Sequence, residues 1–355
     1  MRILSKKKKS DRMGVDLSPI VEKHEITLES LAGKKIAIDA HNVLYQFLAS
    51  IRQPDGTPLM DFSGNITSHL SGLLYRNERI VENGIKPVYV FDGSPPAFKE
   101  KTIEERRKAK EEAKEKWEKA LALEEEGAKT YAQATSKLTE EMIAESKELL
   151  SAMGIPYVQA PGEGEAQAAC MAKKGQVYAS ASQDYDSLLF GSPLLIRNLS
   201  ITGKRKLPRK DQYVIVYPEQ VFLKELLEKN EINQEQLIAL GVLVGTDFNE
   251  GVKGIGPKTA LKIVKEQKEF EKILEFASEK YKHEFEPYIM DVFEYFLNPP
   301  CVDAQPKWSA PDEERIVEIL VKRHDFSEER VRNAVEKMVK GMEEKGSQEK
   351  ISKWF

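Results

Sequence analysis

The segment "KKIAIDA" (34–40) decides how this chain is read. Ile36, Ala37 and Ile38 make a short apolar run that ends on Asp39, as expected of a buried strand that delivers an acid at its carboxyl end. Four further runs read in the same way: "KPVYVFDG" (86–93), "IPYVQA" (155–160), "QVYASASQDYD" (176–186) and "PLLIRNL" (193–199). Helical patterns separate most of them. That alternation predicts an α/β fold, with a mostly parallel central sheet flanked by helices.

Outward from these strands, the region between "FDGSPPAF" and Thr139 is very polar and charged, and composition alone leaves a solvated helix and a linker both open. Residues 233–267 read as helix, loop, helix, with Pro257 suited to the first turn of the second helix. A helical region (about 268–297), the break "NPPCVDAQPKWSAPDEE" and a last helical stretch (about 312–345) follow, and no internal repeat is evident. With 355 residues and 41% hydrophobic content the chain can bury a substantial core. No apolar run approaches the roughly 18 to 20 residues that span a bilayer, so a cytoplasmic protein with no membrane partner is expected. Cys170 and Cys301 lie far apart, which indicates neither a disulfide framework nor a zinc site, and Cys170 reads as a buried helix residue. The net charge of −4 argues against an anionic partner at face value, but acids and bases are segregated into blocks, and a net sum hides that.

The acids carry the chemistry. Asp39, Asp92 and the pair Asp184 and Asp186 each follow a predicted strand. In an open α/β sheet the carboxyl ends of the strands line the ligand crevice, so these side chains converge there. Glu163 and Glu165 join them from "APGEGEAQAAC" (160–170), where Gly162 and Gly164 allow a tight turn and Ala166, Ala168 and Ala169 let a helix approach the sheet. Asp247 joins from "VGTDF". A lone strand-end Asp would more often cap a helix. Seven together cannot all stay ionised without cations, and an all-oxygen set favours hard ions such as Mg²⁺ or Mn²⁺ over zinc. Two such ions about 4 Å apart would suit in-line phosphoryl displacement. An Asp-x-Asp phosphatase motif is excluded because position 41 is His, and the five histidines form no defensible triad with Ser or Cys.

At this point the residues match a family. "AIDAHNVLYQFLASIRQPDGTPL", "SHLSGLLYRN", "NGIKPVYVFDGSPP", "APGEGEAQAA", "SQDYDSLLFG", "GTDFNEGVKGIGPKTALKIV" and "LNPP…W..PDEE" strongly resemble the flap endonucleases, especially archaeal ones, from Met13 to the C-terminus. The resemblance implies a PIN-like 5′ nuclease core and a structure-specific 5′ flap endonuclease with 5′–3′ exonuclease activity. Such an enzyme acts in Okazaki fragment processing and repair by two-metal-ion hydrolysis. It matches Asp39, Asp92, Glu163, Glu165, Asp184, Asp186 and Asp247 to the family's metal carboxylates, with two Mg²⁺ per subunit and Mn²⁺ as a substitute. Lys99 and Arg106 match basic residues that contact the scissile phosphate, and their spacing of seven puts both on one face of a helix.

By the same resemblance Tyr45 stacks on a base near the cut and Arg52 lies on the DNA-facing side. Segment 233–267 is similar to a helix-two-turn-helix, whose "GIGPK" loop, with Gly254, Gly256 and Lys258, seats a duplex phosphate and K⁺. Gln348, Ile351, Trp354 and Phe355 in "QEKISKWF" fit the pattern that binds a sliding clamp (PCNA). The implied organisation is an N-terminal extension (1–12), the first part of the nuclease core (13–95), a helical arch (96–138), and an internal core part with the helix-two-turn-helix (139–270). A C-terminal helical region (271–345) and the clamp-binding tail (346–355) complete it. A monomer when free, acting on 5′-flap or junction DNA inside an archaeal cell near the nucleoid, is expected. Rival functions are a noncatalytic clamp-bound junction adaptor and a related nuclease preferring gaps or bubbles. Two departures stand out: twelve residues precede Met13, with a Lys6–Lys9 run that could hold phosphates or obstruct the site, and Ser94 stands where relatives often carry lysine.

Overall fold

Strand alternation builds the centre of the molecule, which a computed structural model describes over residues 14–99, 137–201, 203–206 and 213–351. Seven strands form one sheet in the order β1 (His24–Glu25), β9 (Glu219–Phe222), β6 (Leu194–Arg197), β5 (Ala179–Ala181), β2 (Lys35–Asp39), β3 (Lys86–Phe91) and β4 (Tyr157–Gln159). The pairs among β6, β5, β2, β3 and β4 are parallel, as expected, whereas β9 and β1 extend one edge antiparallel. β7 (Gly203–Lys206) and β8 (Tyr213–Val216) form a separate antiparallel ribbon. The strand expected over 176–186 shortens to three residues, because the chain after Ala181 leaves the ladder to turn back with its acids.

The helices in chain order are α1 (Ala40–Ser50), α2 (Ser68–Glu82), α3 (Glu140–Ala152), α4 (Gly164–Lys173), α5 (Asp186–Leu189) and α6 (Leu223–Asn230). They continue as α7 (Gln234–Val244), α8 (Pro257–Gln267), α9 (Phe270–Tyr281), α10 (Ile289–Leu297), α11 (Glu313–Val317) and α12 (Glu328–Ile351). Both faces of the sheet are covered. Ile36 and Ile38 of β2, with Tyr89 and Phe91 of β3, pack against α1, α2, α3 and α12. The alternate residues Ala37, Val88 and Val90 meet Ala168, Met171 and Ala172 of α4. Truncating one of these buried aliphatic side chains to Ala would cost roughly 2–5 kcal/mol. A second core forms around α5, α7, α8, α9 and α10, which seats the helix–loop–helix of 233–267 on the end of the sheet through Leu188, Leu189 and Phe190.

Local signals set the helix starts. Thr139 accepts the Met142 amide at the head of α3, and Asn233 and Gln236 form a reciprocal capping box at α7. The last helical stretch is not continuous: α11 runs into a π-helical turn (Glu318–Lys322), the chain reverses at Asp325 with φ +58°, and only then does α12 begin.

The two cysteines are paired, contrary to what their separation in sequence implies. Although 131 residues separate them, Cys170 and Cys301 form a disulfide, because the segment after α10 folds back along α4 and brings the two Cα atoms to 6.5 Å. The same return is held by Gln167, whose Oε1 accepts the Val302 amide while its Nε2 donates to the Val302 carbonyl, both at 2.8 Å. Arg106, the rest of 100–136 and so most of the expected arch, residues 1–13, Trp354 and Phe355 lie outside the described residues, as do the side chains of Gln348 and Ile351.

The loop 52–67 is tied to the C-terminal helices through a largely buried chain of polar contacts. Asp61 accepts the amides of Ser63 and Asn65 and the Asn65 side chain, and its Oδ2 lies 3.0 Å from His324 Nδ1, while His324 Nε2 meets Glu145 at 3.2 Å. Burial alone would raise the Asp61 carboxyl, but the bonds from Asn65 and His324 hold it at about 2. A carboxyl depressed on folding contributes stability above its unfolded value of about 3.9 and loses it as pH falls toward the folded value. Asp61→Asn is therefore expected to lower Tm at pH 7, with the difference from wild type shrinking as pH drops from about 4 to 2, as read by circular dichroism melts.

Candidate active site

All seven carboxylates singled out in the sequence meet at the carboxyl ends of β2, β3 and β5, where the strand order reverses direction around β2. Asp39 ends β2 and also caps α1, its Oδ1 accepting the Asn42 amide at 3.1 Å. The capping role that a lone acid would have is thus present together with the clustering. Asp92, just past β3, accepts the Gly164 amide at 2.7 Å and so sits at the start of α4. That bond requires glycine at 164, since a Cβ there would lie 2.8 Å from the same Asp92 oxygen and 3.0 Å from the Val90 carbonyl. Glu163, at the N-cap of α4, turns its carboxylate away from the helix to pair with Lys99 Nζ.

Glu165 accepts the Ser182 hydroxyl, and the same Ser182 oxygen receives the Asp184 amide at 3.2 Å. Asp184 Oδ2 takes the Asn42 side-chain amide at 2.7 Å. The N-terminal segment closes the site: the Val15 amide donates to Asp186 at 2.8 Å and the Gly14 amide to Asp247 at 3.0 Å. His41 lies at the margin, its Nδ1 3.2 Å from the Asp92 amide nitrogen and 3.4 Å from the Asp92 carboxylate.

The electrostatics follow from this crowding. Burial, then Asp92, pushes the Asp39 carboxyl well above the usual carboxylate range. Burial does the same to Glu165, aided by Asp186, Asp39 and Asp184, and to Asp186, aided by Asp247 and Asp184. Burial also raises Glu163, with Lys99 working against the rise. Burial disfavours the Lys99 ammonium, but Glu163 and Asp247 hold its pKa above the ordinary value. One ammonium cannot balance seven acids. The donor set is oxygen throughout and partly desolvated, which is the chemistry of hard divalent cations, although among the described residues no three of these side chains stand close enough together to hold an ion as placed.

The remaining expectations fall around this centre. Tyr45 is half-buried on α1. Arg52 donates to the carbonyls of Leu48 at 2.9 Å and Gly56 at 2.8 Å, bracing its own loop. Gly254 and Lys258 are exposed, and Gly256 is the N-cap of α8. Sequence reading did not single out Asn42, Ser182 or the Gly14 and Val15 amides. Asn42 carried a faint signal, three residues after Asp39 at the capping distance; the others depend on contacts remote in sequence.

Comparison with known proteins bears on this centre. The chain matches the XPG N-terminal domain over residues 13–113 and the XPG I-region over residues 154–247. It is 56% identical to flap endonuclease 1 of Staphylothermus marinus over 352 residues, covering 97% of this chain and 100% of that protein. It is likewise 56% identical to flap endonuclease 1 of Pyrococcus abyssi, covering 97% of this chain and 98% of that protein. Among solved structures, flap endonuclease-1 from Methanococcus jannaschii aligns with a TM-score of 0.72 at 40% identity, covering 94% and 100% of the two chains. The catalytic core of Rad2 in complex with DNA substrate shares the fold, with a TM-score of 0.66 at 24% identity over 91% and 97%.

The raised carboxyls lead to a pH test. Below their elevated pKa values Asp39, Glu165 and Asp186 hold protons and repulsion is muted; as pH rises through those values they ionise and the folded state loses stability. A divalent cation competes with those protons. Saturating Mg²⁺ should thus raise Tm by roughly 3–5 °C at pH 8 and by clearly less at pH 5, as measured by calorimetry with EDTA-treated protein as reference.

Proposed function

The chain belongs to the flap endonuclease family, and with its activity that of a structure-specific 5′ flap nuclease we propose that the carboxylate centre at the strand ends is where it hydrolyses the phosphodiester. The observation that supports this most is that seven acids from separate parts of the chain act on one another at the strand ends, with partly buried Lys99 beside Glu163, Asp247 and Asp92. Members of this family are metal-dependent nucleases, and we assign Asp39, Asp92, Glu163, Glu165, Asp184, Asp186 and Asp247 to hold two Mg²⁺, with Mn²⁺ able to replace them. When bound, such a pair would supply an activated water and offset charge on the attacking and leaving oxygens.

The chain's own residues do the rest. Lys99, partly buried and paired with Glu163, is poised to exchange that carboxylate for the scissile phosphate, and Arg106 adds a second, bidentate donor from the arch. Asn42 and Ser182 hold Asp184 and Glu165 in place while charge builds. Tyr45 stacks a base unpaired at the junction, a contact of roughly 1–3 kcal/mol. Arg52, whose bonds to Leu48 and Gly56 brace its loop, faces the DNA from that side.

The helix-two-turn-helix binds the duplex behind the cut. Pro257 at the first helical position leaves the start of α8 open, no side chain caps it, and a Cβ at Gly254 or Gly256 would meet open space, so a phosphate backbone can approach. Lys258 adds charge and the loop carbonyls hold K⁺. Gln348, Ile351, Trp354 and Phe355 dock on a sliding clamp (PCNA), and the free protein is a monomer within the archaeal cell. No described helix is long and apolar enough to cross a membrane.

Three experiments test these assignments. A labelled double-flap DNA should be cut in Mg²⁺ and left intact in EDTA; cutting that persists in chelator would refute the metal centre. Asp184→Ala should slow single-turnover cleavage more than about a hundredfold while DNA affinity stays within a few-fold. For the tail, Trp354→Ala with Phe355→Ala should weaken clamp binding at least about tenfold in surface plasmon resonance, and unchanged affinity would remove those residues from the interface.

A further inference from the structure

Tyr295 lies on α10, more than a hundred residues beyond most of the carboxylates, and nothing in its local sequence marks it. Its hydroxyl oxygen nevertheless accepts the backbone amide of Glu163 at 3.2 Å. That peptide begins α4 and carries the carboxylate paired with Lys99. The approach is close: a Cβ at Gly162 would fall 2.5 Å from the same hydroxyl oxygen. The phenol ring then makes two edge-to-face contacts that lead back to the site. One is with Phe98, the residue before Lys99, at 5.6 Å and 79°. The other is with Phe248, the residue after Asp247, at 5.5 Å and 76°.

A single side chain therefore touches the immediate chain neighbourhoods of three site residues that come from three distant segments. Phe98 is itself wedged between Phe248 at 5.5 Å and Tyr288 at 5.9 Å, so it cannot shift without moving the ring of Tyr295 or its neighbours. Lys99 Nζ lies 5.5 Å from the Phe248 ring, completing the circuit. Aromatic pairs of this geometry resist sliding, and a partly buried amide held by one acceptor loses its direction when that acceptor goes.

Resting on the reading of this centre as the nuclease site, we infer that Tyr295 is a positioning residue that sets Lys99 against Glu163, its hydroxyl fixing the Glu163 peptide and its ring fixing the segment that carries Lys99. The two functions are separable by substitution. Tyr295→Phe keeps the ring and removes the acceptor; Tyr295→Leu removes both. A displacement of about 1 Å in a positioning element can cost on the order of a hundredfold in rate. Tyr295→Phe should therefore slow single-turnover flap cleavage about tenfold and Tyr295→Leu about a hundredfold, with DNA affinity in Ca²⁺ within about twofold of wild type for Tyr295→Phe.

The decisive measurement is a double-mutant cycle with Lys99→Ala. If Tyr295 acts through Lys99 and Glu163, adding Tyr295→Phe to Lys99→Ala should cost no more than about a further twofold, because the coupled group is already gone. Additive losses, or a Tyr295→Phe rate equal to wild type, would overturn the inference. A rate loss matched by an equal loss of DNA affinity and a collapse of Tm would also overturn it, since that is what mere scaffolding gives. Wild-type protein cutting the flap in Mg²⁺ is the reference arm: if it cuts, failure of the Tyr295 variants to respond refutes the positioning role alone, and if it does not cut, the reading of the centre itself falls.

Discussion

Like charges at the ends of parallel strands are the constraint around which this molecule is arranged. Asp39 and Asp186 are 8% and 5% exposed and face other carboxylates, so water cannot screen them and each raises the pKa of the next. A sheet that only had to be stable would not collect acids there. The surrounding architecture is accordingly a set of donors: a helix start for Asp92, an amide and a carboxamide from α1 for Asp39 and Asp184, a serine for Glu165, and the N-terminal segment for Asp186 and Asp247. Each bond fixes a carboxylate in place without supplying a full positive charge.

Those donors come from rigid elements. β2 and β3 alternate apolar residues onto two covered faces, so their ends cannot drift, and α4 lies close to the sheet because its contacting residues are small. The return of the chain after α10 along α4 adds a disulfide and the paired Gln167 and Val302 bonds on the outer side of that helix. The helix that carries Glu163 and Glu165 is thus fixed from the sheet side and from outside. The same return starts from Tyr295, which explains why an aromatic cluster of the second core ends at the margin of the acidic centre.

Much of this was legible in the residue order. The apolar runs ending at Asp39, Asp92 and Asp184 declared both the strands and the delivery of acids at their ends, and the glycines and alanines around Glu163 and Glu165 declared a turn and a close helix. The antiparallel edge strands β9 and β1 were not legible, being short and only partly apolar. Nor was the break in the final helix, where Asp325 adopts a left-handed conformation that no glycine announces. That the seven acids come near one another followed from their type and position in the chain, but their hydrogen-bond partners did not.

What sequence determined by itself is what depends on periodicity and local backbone chemistry: strand or helix, the approximate extent of most elements, and the chemical type of side chain delivered at their ends. What only the tertiary structure decided is every relation across long separations. The Gly14 amide on Asp247 spans 233 residues, the Val15 amide on Asp186 spans 171, and Tyr295 on Glu163 spans 132. The cysteine pair spans 131. Hydrophobic burial chooses which elements pack, and packing brings such groups within hydrogen-bond reach at distances that no local pattern in the chain encodes.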